Sequence, residues 1–265
     1  MTRGIGLRLA YEGTRYSGWQ AQPGRATVQG VLAAAIHAVS GETLVPRGSS
    51  RTDAGVHALD QIVGFVSESP LEALVWGRAL DANLPADVSV VAAAEVPTDF
   101  DPVTAAVAKT YRYRIHDAPW KPVLERHLVW RWRSRLDTAA MTAAAAALVG
   151  EHDFSSFEKG PSQRLSKTRT IHRLDVARQG APAGKPGGEV WVEVEGNGFL
   201  HNMVRIIVGS LVLVGSGRRA PSWLATVVAA RDRAAAGPTA PPEGLVLLST
   251  RLPPGAALGV TAATP

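Results

Sequence analysis

The sequence predicts an α+β fold made of two tandem halves, each with the element order β-α-β-β-α-β. Three observations predict it. Apolar side chains alternate over short runs near 5–11, 61–66, 88–96, 107–116, 168–176 and 190–194. Runs at helical spacing separate them, near 28–38, 71–80, 137–149, 201–214 and 221–236. The order in which the two periodicities alternate recurs along the chain, although no repeat of the residues themselves is visible. Such halves are ferredoxin-like: helices cover one face of a four-stranded sheet and leave the other face open. Their boundaries fall at 1–106 and 107–250, with 251–265 as a loose C-terminal tail.

In the first half, Ile5, Leu7, Leu9 and Tyr11 alternate with Gly6 and Arg8, a strand with one buried face. A polar loop from Gly13 to Gly24 then presents Tyr16, Trp19 and Gln20. Thr27 is placed to cap a helix over 28–38, where Val28, Val31, Leu32, Ala35 and Ile36 share a face. A short strand near 44–47 and a second over 61–66 flank a polar segment. Pro70 opens a helix over 71–80, and Asn83-Leu84-Pro85 turns the chain into the strand over 88–96.

In the second half, Tyr111, Tyr113 and Ile115 lie on one face of a strand over 107–116, with Thr110, Arg112 and Arg114 on the other. Asp137 caps an Ala-rich helix that Gly150 ends. A polar, basic loop over 151–167 precedes the strand over 168–176. The stretch 180–188 is a Gly/Pro/Ala turn, and Val190, Val192 and Val194 mark the next strand. Helices over 201–214 and 221–236 and a strand over 245–249 complete the half.

Composition narrows the chemistry. A chain of 265 residues without cysteine forms no disulfide and does no thiolate chemistry. Its seven histidines are scattered rather than set at ligand spacing, so no metal is expected. No dinucleotide fingerprint and no phosphate-binding loop occurs, so no cofactor is expected either. Neither a signal peptide nor a membrane span is expected, which points to a cytoplasmic protein. Charge is uneven: residues 1–108 carry a net −4 and residues 109–265 a net +9. Within 109–135, eight basic groups stand against two acidic ones, interleaved with Tyr111, Tyr113, Trp120, Trp130 and Trp132. Guanidinium and aromatic surfaces together suit phosphates and unpaired bases, so a polyanion is expected across this part.

The segment Ser49-Ser50-Arg51-Thr52-Asp53-Ala54-Gly55-Val56-His57-Ala58 puts an arginine, a carboxylate and an imidazole within seven positions and has almost nothing to bury. It reads as a loop between strands, where binding and catalytic groups concentrate. One reading is a polar hairpin loop closed by an Arg51–Asp53 pair. The other begins from likeness: Arg51-Thr52-Asp53-Ala54-Gly55-Val56-His57-Ala58 resembles the signature of the tRNA pseudouridine synthase A family, with Ser50 where that family usually has Gly. The same resemblance extends in order through Tyr11-Glu12-Gly13-Thr14, Tyr16-Ser17-Gly18-Trp19-Gln20, Thr27-Val28-Gln29-Gly30, Asn83-Leu84-Pro85, Lys109-Thr110-Tyr111-Arg112-Tyr113, His152-Asp153-Phe154-Ser155-Ser156-Phe157 and Gly198-Phe199-Leu200-His201-Asn202-Met203-Val204-Arg205. Glu12 stands where the family usually has Asp, and Phe100-Asp101-Pro102-Val103 replaces a Phe-His-Ala-Arg pattern, which costs one basic group at Val103.

The resemblance implies a cofactor-free, metal-free isomerase that converts uridine to pseudouridine at positions thirty-eight to forty of the tRNA anticodon stem-loop. It implies a mixed, largely antiparallel sheet with a central cleft, a homodimer, and tRNA as partner. Asp53 becomes the catalytic carboxylate, acting either by attack at C1' or by abstraction of the 2' proton. Tyr111 lies against the uracil and Arg205 partners the aspartate. Arg51, His57, Tyr16, Trp19, Gln20, Lys159, Arg164, Lys167 and Arg169 are the expected substrate contacts. The competing reading is a non-catalytic RNA-binding protein made of two recognition-like halves.

Overall fold

The computed structural model describes residues 2–160, 166–180 and 188–258. The turn expected over 180–188 falls almost wholly outside them. Along the chain the elements are β1 (Arg3–Tyr11), α1 (Val28–Ser40), β2 (Arg47–Gly48), β3 (His57–Ser67), α2 (Ala73–Asn83), β4 (Val88–Val96) and α3 (Pro102–Ala105). There follow β5 (Ala108–His116), β6 (Trp130–Arg131), α4 (Thr138–Ala145), β7 (Gly150–Asp153), β8 (Thr168–Gln179), β9 (Glu189–Gly196), α5 (Met203–Gly215), α6 (Trp223–Ala230) and β10 (Leu245–Arg251). The fold is α+β: β1 pairs antiparallel with β3 and β4, β2 with β3, β5 with β9 and β8 with β7 and β9, whereas β6 runs parallel to β5. The chain divides into two compact units: one holds the residues up to Ala108 and those from Leu247 onward, the other Lys109–Val246.

In the first unit the strand order is β4-β1-β3-β10, with β2 also paired to β3. Ile5, Leu7 and Leu9 are fully buried toward the helices, where Phe65 meets Trp76 edge-on at 5.3 Å. Thr27 caps α1 as expected, its side chain accepting from the Gly30 N–H. The opposite face of β1 is covered too, unlike the expectation of a single buried face. An added Cβ at Gly6 would lie 2.6 Å from Leu258 Cδ1, and Leu252, Leu258 and Ile62 form a cluster there with Val96 and Phe100. Arg8 is buried on that face because Asp60 pairs with it and the Leu258 carbonyl accepts from its Nε at 2.8 Å. The chain after 251 is therefore packed at least through Leu258, where a loose tail was expected.

In the second unit β5, β9, β8 and β7 lie side by side in that order. Tyr113, Ile115, Val190, Val192 and Val194 bury one face, as the alternation predicts. The other face is lined with ion pairs: Arg112 with Glu193 at 2.7 Å, and Arg114 with Glu189 at 2.7 Å and Glu125 at 2.6 Å. Helix α5 is apolar nearly all round and is buried accordingly. Its Gly209 admits the chain at 238: a side chain there would overlap the Pro238 carbonyl oxygen.

Candidate active site

Asp53 sits in the loop between β2 and β3, and buried side chains tie that loop on both flanks. Gln61 of β3 is fully buried. Its amide oxygen accepts from the Ser49 hydroxyl at 2.8 Å and the Ser50 N–H at 3.1 Å, and its nitrogen donates to the Ser50 carbonyl at 2.6 Å. From the other side, the Trp19 N–H donates to the Thr52 carbonyl at 3.0 Å and the Gly55 N–H to the Tyr16 carbonyl at 3.2 Å. The Tyr11 hydroxyl shares a hydrogen bond with Thr52 Oγ1 at 2.8 Å. A turn closes the tip, with the Val56 N–H on the Asp53 carbonyl at 3.1 Å and Gly55 at φ 78°. Asp53 itself is half-buried, and Arg51 is exposed. What holds this segment on both flanks is the set of bonds from Gln61, Tyr11, Tyr16 and Trp19.

The segment 13–20 reaches the Asp53 loop because it carries glycines. A Cβ at Gly13 would overlap the Val56 carbonyl, and Gly18, at φ 90°, would bring one within 2.6 Å of the Thr52 carbonyl. His57, buried at the start of β3, accepts the Gly13 N–H on Nδ1 at 3.0 Å. That nitrogen therefore carries a lone pair, and the approach of Glu12 to it at 3.8 Å is not an ion pair. Tyr16 and Trp19 are 5% and 1% exposed, so both rings act from inside the loop. The Tyr16 hydroxyl donates to Asp87 at 2.7 Å, and Arg15 donates to the same carboxylate at 2.7 Å. Burial, reinforced by Asp87, pushes the Tyr16 phenol up to about 12, so it stays a donor. Burial alone would raise the Asp87 carboxyl, but its bonds from Tyr16 and Arg15 outweigh that and hold it below the usual range. Trp19 packs on Gly48, where no side chain would fit. Gln20 is exposed, and its amide donates to Gln29 at 2.8 Å; Gln29 in turn donates to the Pro46 carbonyl at 2.9 Å.

In the second unit, Tyr111 is 8% exposed on β5 and meets Phe199 edge-on at 5.1 Å. Arg205 lies in the first turn of α5. Its Nε donates to the Ala240 carbonyl at 2.8 Å and its Nη1 to Asn202 Oδ1 at 2.7 Å. Asn202 holds the left-handed conformation, φ 61°, that starts the helix. Lys159 is exposed, and its main chain is stitched to His201 through two hydrogen bonds of 3.1 and 2.7 Å. Lys167 Nζ stands 3.0 Å from the buried Glu158 carboxylate, an ion pair without an aligned hydrogen bond. Arg169 donates to the Ser166 and Thr168 carbonyls at 3.2 and 2.6 Å. Arg164 lies outside the described residues.

Gln61, Gln29, Asp87 and Asn202 were not anticipated from the sequence, because their partners are distant in the chain or depend on backbone conformation. A glutamine in the middle of an apolar strand, Gln61 before Ile62 and Val63, is the one local signal of a buried clamp. Among the described residues no group of three His, Cys, Asp or Glu side chains is placed to hold a metal ion. No helix there is long and apolar enough to cross a membrane.

The pattern of known sequences described as "tRNA pseudouridine synthase" matches this chain over residues 9–103 and 144–253. The tRNA pseudouridine synthase A of Myxococcus xanthus is 45% identical over 241 residues, 91% of this chain and 89% of that protein. Those of Halalkalibacterium halodurans and Brevibacillus brevis are 42% and 44% identical, over 91% and 90% of this chain and 90% and 95% of their own lengths. The chain belongs to the tRNA pseudouridine synthase A family.

Proposed function

We propose that this chain isomerises uridine to pseudouridine in the anticodon stem-loop of tRNA, at positions thirty-eight to forty. The observation that carries this reading is a carboxylate loop held rigid from both flanks, with Asp53 at its tip, in a member of this family. Rigid support is what a group needs if it must meet one carbon of an extruded nucleotide. The N1–C1' bond breaks with its electron pair leaving on uracil N1, so C1' becomes electron-poor. The Asp53 carboxylate meets that charge by bonding to C1', or removes the proton on the neighbouring 2' carbon. The uracil turns and its C5 bonds to C1' as the Asp53–C1' bond breaks or the 2' proton returns. The C5 proton departs and N1 takes one up from solvent, so no atom is gained or lost overall.

Tyr111 serves the uracil and the C5 proton, and Arg205, braced by Ala240 and Asn202, serves the aspartate. Arg51, Lys159, Arg164, Lys167 and Arg169 contact the tRNA backbone, with Gln20 at the rim. Tyr16, Trp19 and His57 support binding by fixing the loop they are built into. The stretches 1–106 and 107–250 are tandem β-α-β-β-α-β halves, a reading supported by the shared relative order of β1-β3-β2 and β5-β9-β8. A cytoplasmic homodimer that uses neither metal nor cofactor completes the proposal.

The test is Asp53→Asn with tRNA transcript tritiated at uracil C5, where forming the new bond releases tritium to solvent. The amide is nearly isosteric and cannot act as nucleophile or base, so release should cease while tRNA affinity and thermal midpoint hold. Turnover near the parent rate would remove Asp53 from the mechanism. Loss of folding and binding together would favour a loop residue of a non-catalytic RNA binder.

A further inference from the structure

The basic block expected over 109–135 does not act as a whole. Arg112 and Arg114 are consumed by Glu193, Glu189 and Glu125. Among the described residues no ion pair takes Arg133 or Arg135, although the Arg135 charge reaches Asp117, and both are exposed. The fold brings a second exposed pair to them from far along the chain, Arg218 and Arg219. The Asp137 N–H donates to the Gly215 carbonyl at 2.8 Å, and Leu136 Cβ would lie 3.4 Å from a side chain at Gly215, so the segment before α4 rests on the end of α5. The Arg218 guanidinium stands 5.8 Å from the Trp132 ring, and that of Arg219 stands 5.4 Å from the Trp223 ring. The acids nearby are occupied. Asp117 takes both nitrogens of Arg178 at 2.8 Å, and Asp137 accepts the Ala140 N–H that caps α4.

We propose that Arg133, Arg135, Arg218 and Arg219, with Trp132 between them, form a second tRNA-backbone contact remote from the reacting uridine; this rests on the isomerase reading. Four exposed guanidinium groups, two of them over half-buried indole rings, present charge and stacking surface together, which suits phosphates. Two elements give the distance independently. From Tyr111 to His116, beside Arg131, β5 advances about 17 Å at ~3.3 Å per residue. From Arg205 to Gly215, α5 advances about 15 Å at 1.5 Å per residue. Both proposed catalytic groups of this unit thus lie at one end of an element whose other end carries the patch. At about 2.8 Å of A-form duplex axis per nucleotide, the patch meets phosphates roughly six nucleotides from the target. The partner is the helical stem adjoining that uridine.

The test is the pair Arg218→Gln and Arg219→Gln in the full chain, with the dissociation constant for unmodified tRNA transcript measured between about 50 and 200 mM salt. Each lost phosphate contact lowers the slope of log affinity against log salt by about one. We expect a slope lower by about two, an affinity about tenfold weaker near 0.1 M salt, and unchanged tritium release at saturating tRNA. The R218K/R219K pair keeps the charges and should bind within about threefold of the parent. An R218Q/R219Q protein with the parent's affinity and slope would overturn the proposal. Should that pair lose its thermal midpoint, R133Q/R135Q replaces it with the same expected slope loss and the same overturning result. The parent's own tritium release keeps the two readings apart. A parent that releases none sinks the isomerase whatever the slopes, whereas an active parent with unaltered variant slopes sinks the patch alone.

Discussion

Gln61 shows how one residue far from any reaction can set a reacting group's position. Its amide closes three hydrogen bonds to Ser49 and Ser50 without exposing a single atom, so nothing in solvent can substitute for it. Gln61→Leu keeps the volume and leaves the Ser50 N–H and carbonyl without their partner. At about 1–3 kcal/mol for each buried polar group left unpaired, urea denaturation should show a loss of about 2–4 kcal/mol. Single-turnover tritium release should fall by more than tRNA affinity does, because the loop that aims Asp53 loosens while the basic contacts stay. Equal losses in both would make Gln61 a stability residue only. At this scale the sequence was legible only in part. Asp53 stood out through its polar, glycine-bearing setting and through resemblance to a family. Gln29 and Asp87 did not, because Gln29 bonds Pro46 and Asp87 bonds Tyr16, contacts that exist only once the chain is folded.

Elements were legible where a single stretch of chain decides them. Helix α1 was, because Thr27 caps it and its apolar face repeats at helical spacing. Strand β7 was not: Gly150-Glu151-His152-Asp153 has neither alternation nor β-branched residues, and it is a strand because β8 offers it a partner. The early start of β3 at His57 likewise follows from burial of the imidazole against Gly13. Asp117 clamps elements together in the same tertiary way. Burial alone would raise its carboxyl, but the paired bonds from Arg178 of β8, with the Leu136 N–H, outweigh that and hold it below the usual range. A carboxyl depressed in the folded state adds stability that is complete above its unfolded value, about 3.9, and is lost as pH falls through the folded value. Asp117→Asn should therefore cost about 1–3 kcal/mol at pH 7, since it takes the opposite charge from the half-buried Arg178 and leaves that guanidinium the Leu136 carbonyl and an amide oxygen. The gap in thermal midpoint between parent and variant should close as pH falls from 5 toward 3. A gap independent of pH would mean that the clamp does not depend on charge.

For the whole chain, ion pairing sharpens the charge asymmetry without changing its size. Pairs inside the second unit, Arg112–Glu193, Arg114–Glu189, Arg173–Asp175 and Arg178–Asp117, remove equal numbers of both signs. The net +9 of residues 109–265 therefore survives on fewer, less restrained groups, Arg133, Arg135, Arg218 and Arg219 among them. The first part, at net −4, is itself laced by Arg8–Asp60, Arg15–Asp87 and Arg3–Glu95 and has no such excess to offer. Binding of tRNA should follow the second part, and counterion release makes that measurable. Each neutralised phosphate contributes about 0.9 to the slope of log affinity against log salt. A rise from about 50 to 200 mM should then weaken binding at least tenfold if only two phosphates are met, and about a thousandfold if six are. The measured slope counts the contacts directly. A slope near zero would mean that the excess charge does not face RNA, and would leave the family's chemistry on this chain without the electrostatic hold proposed for it.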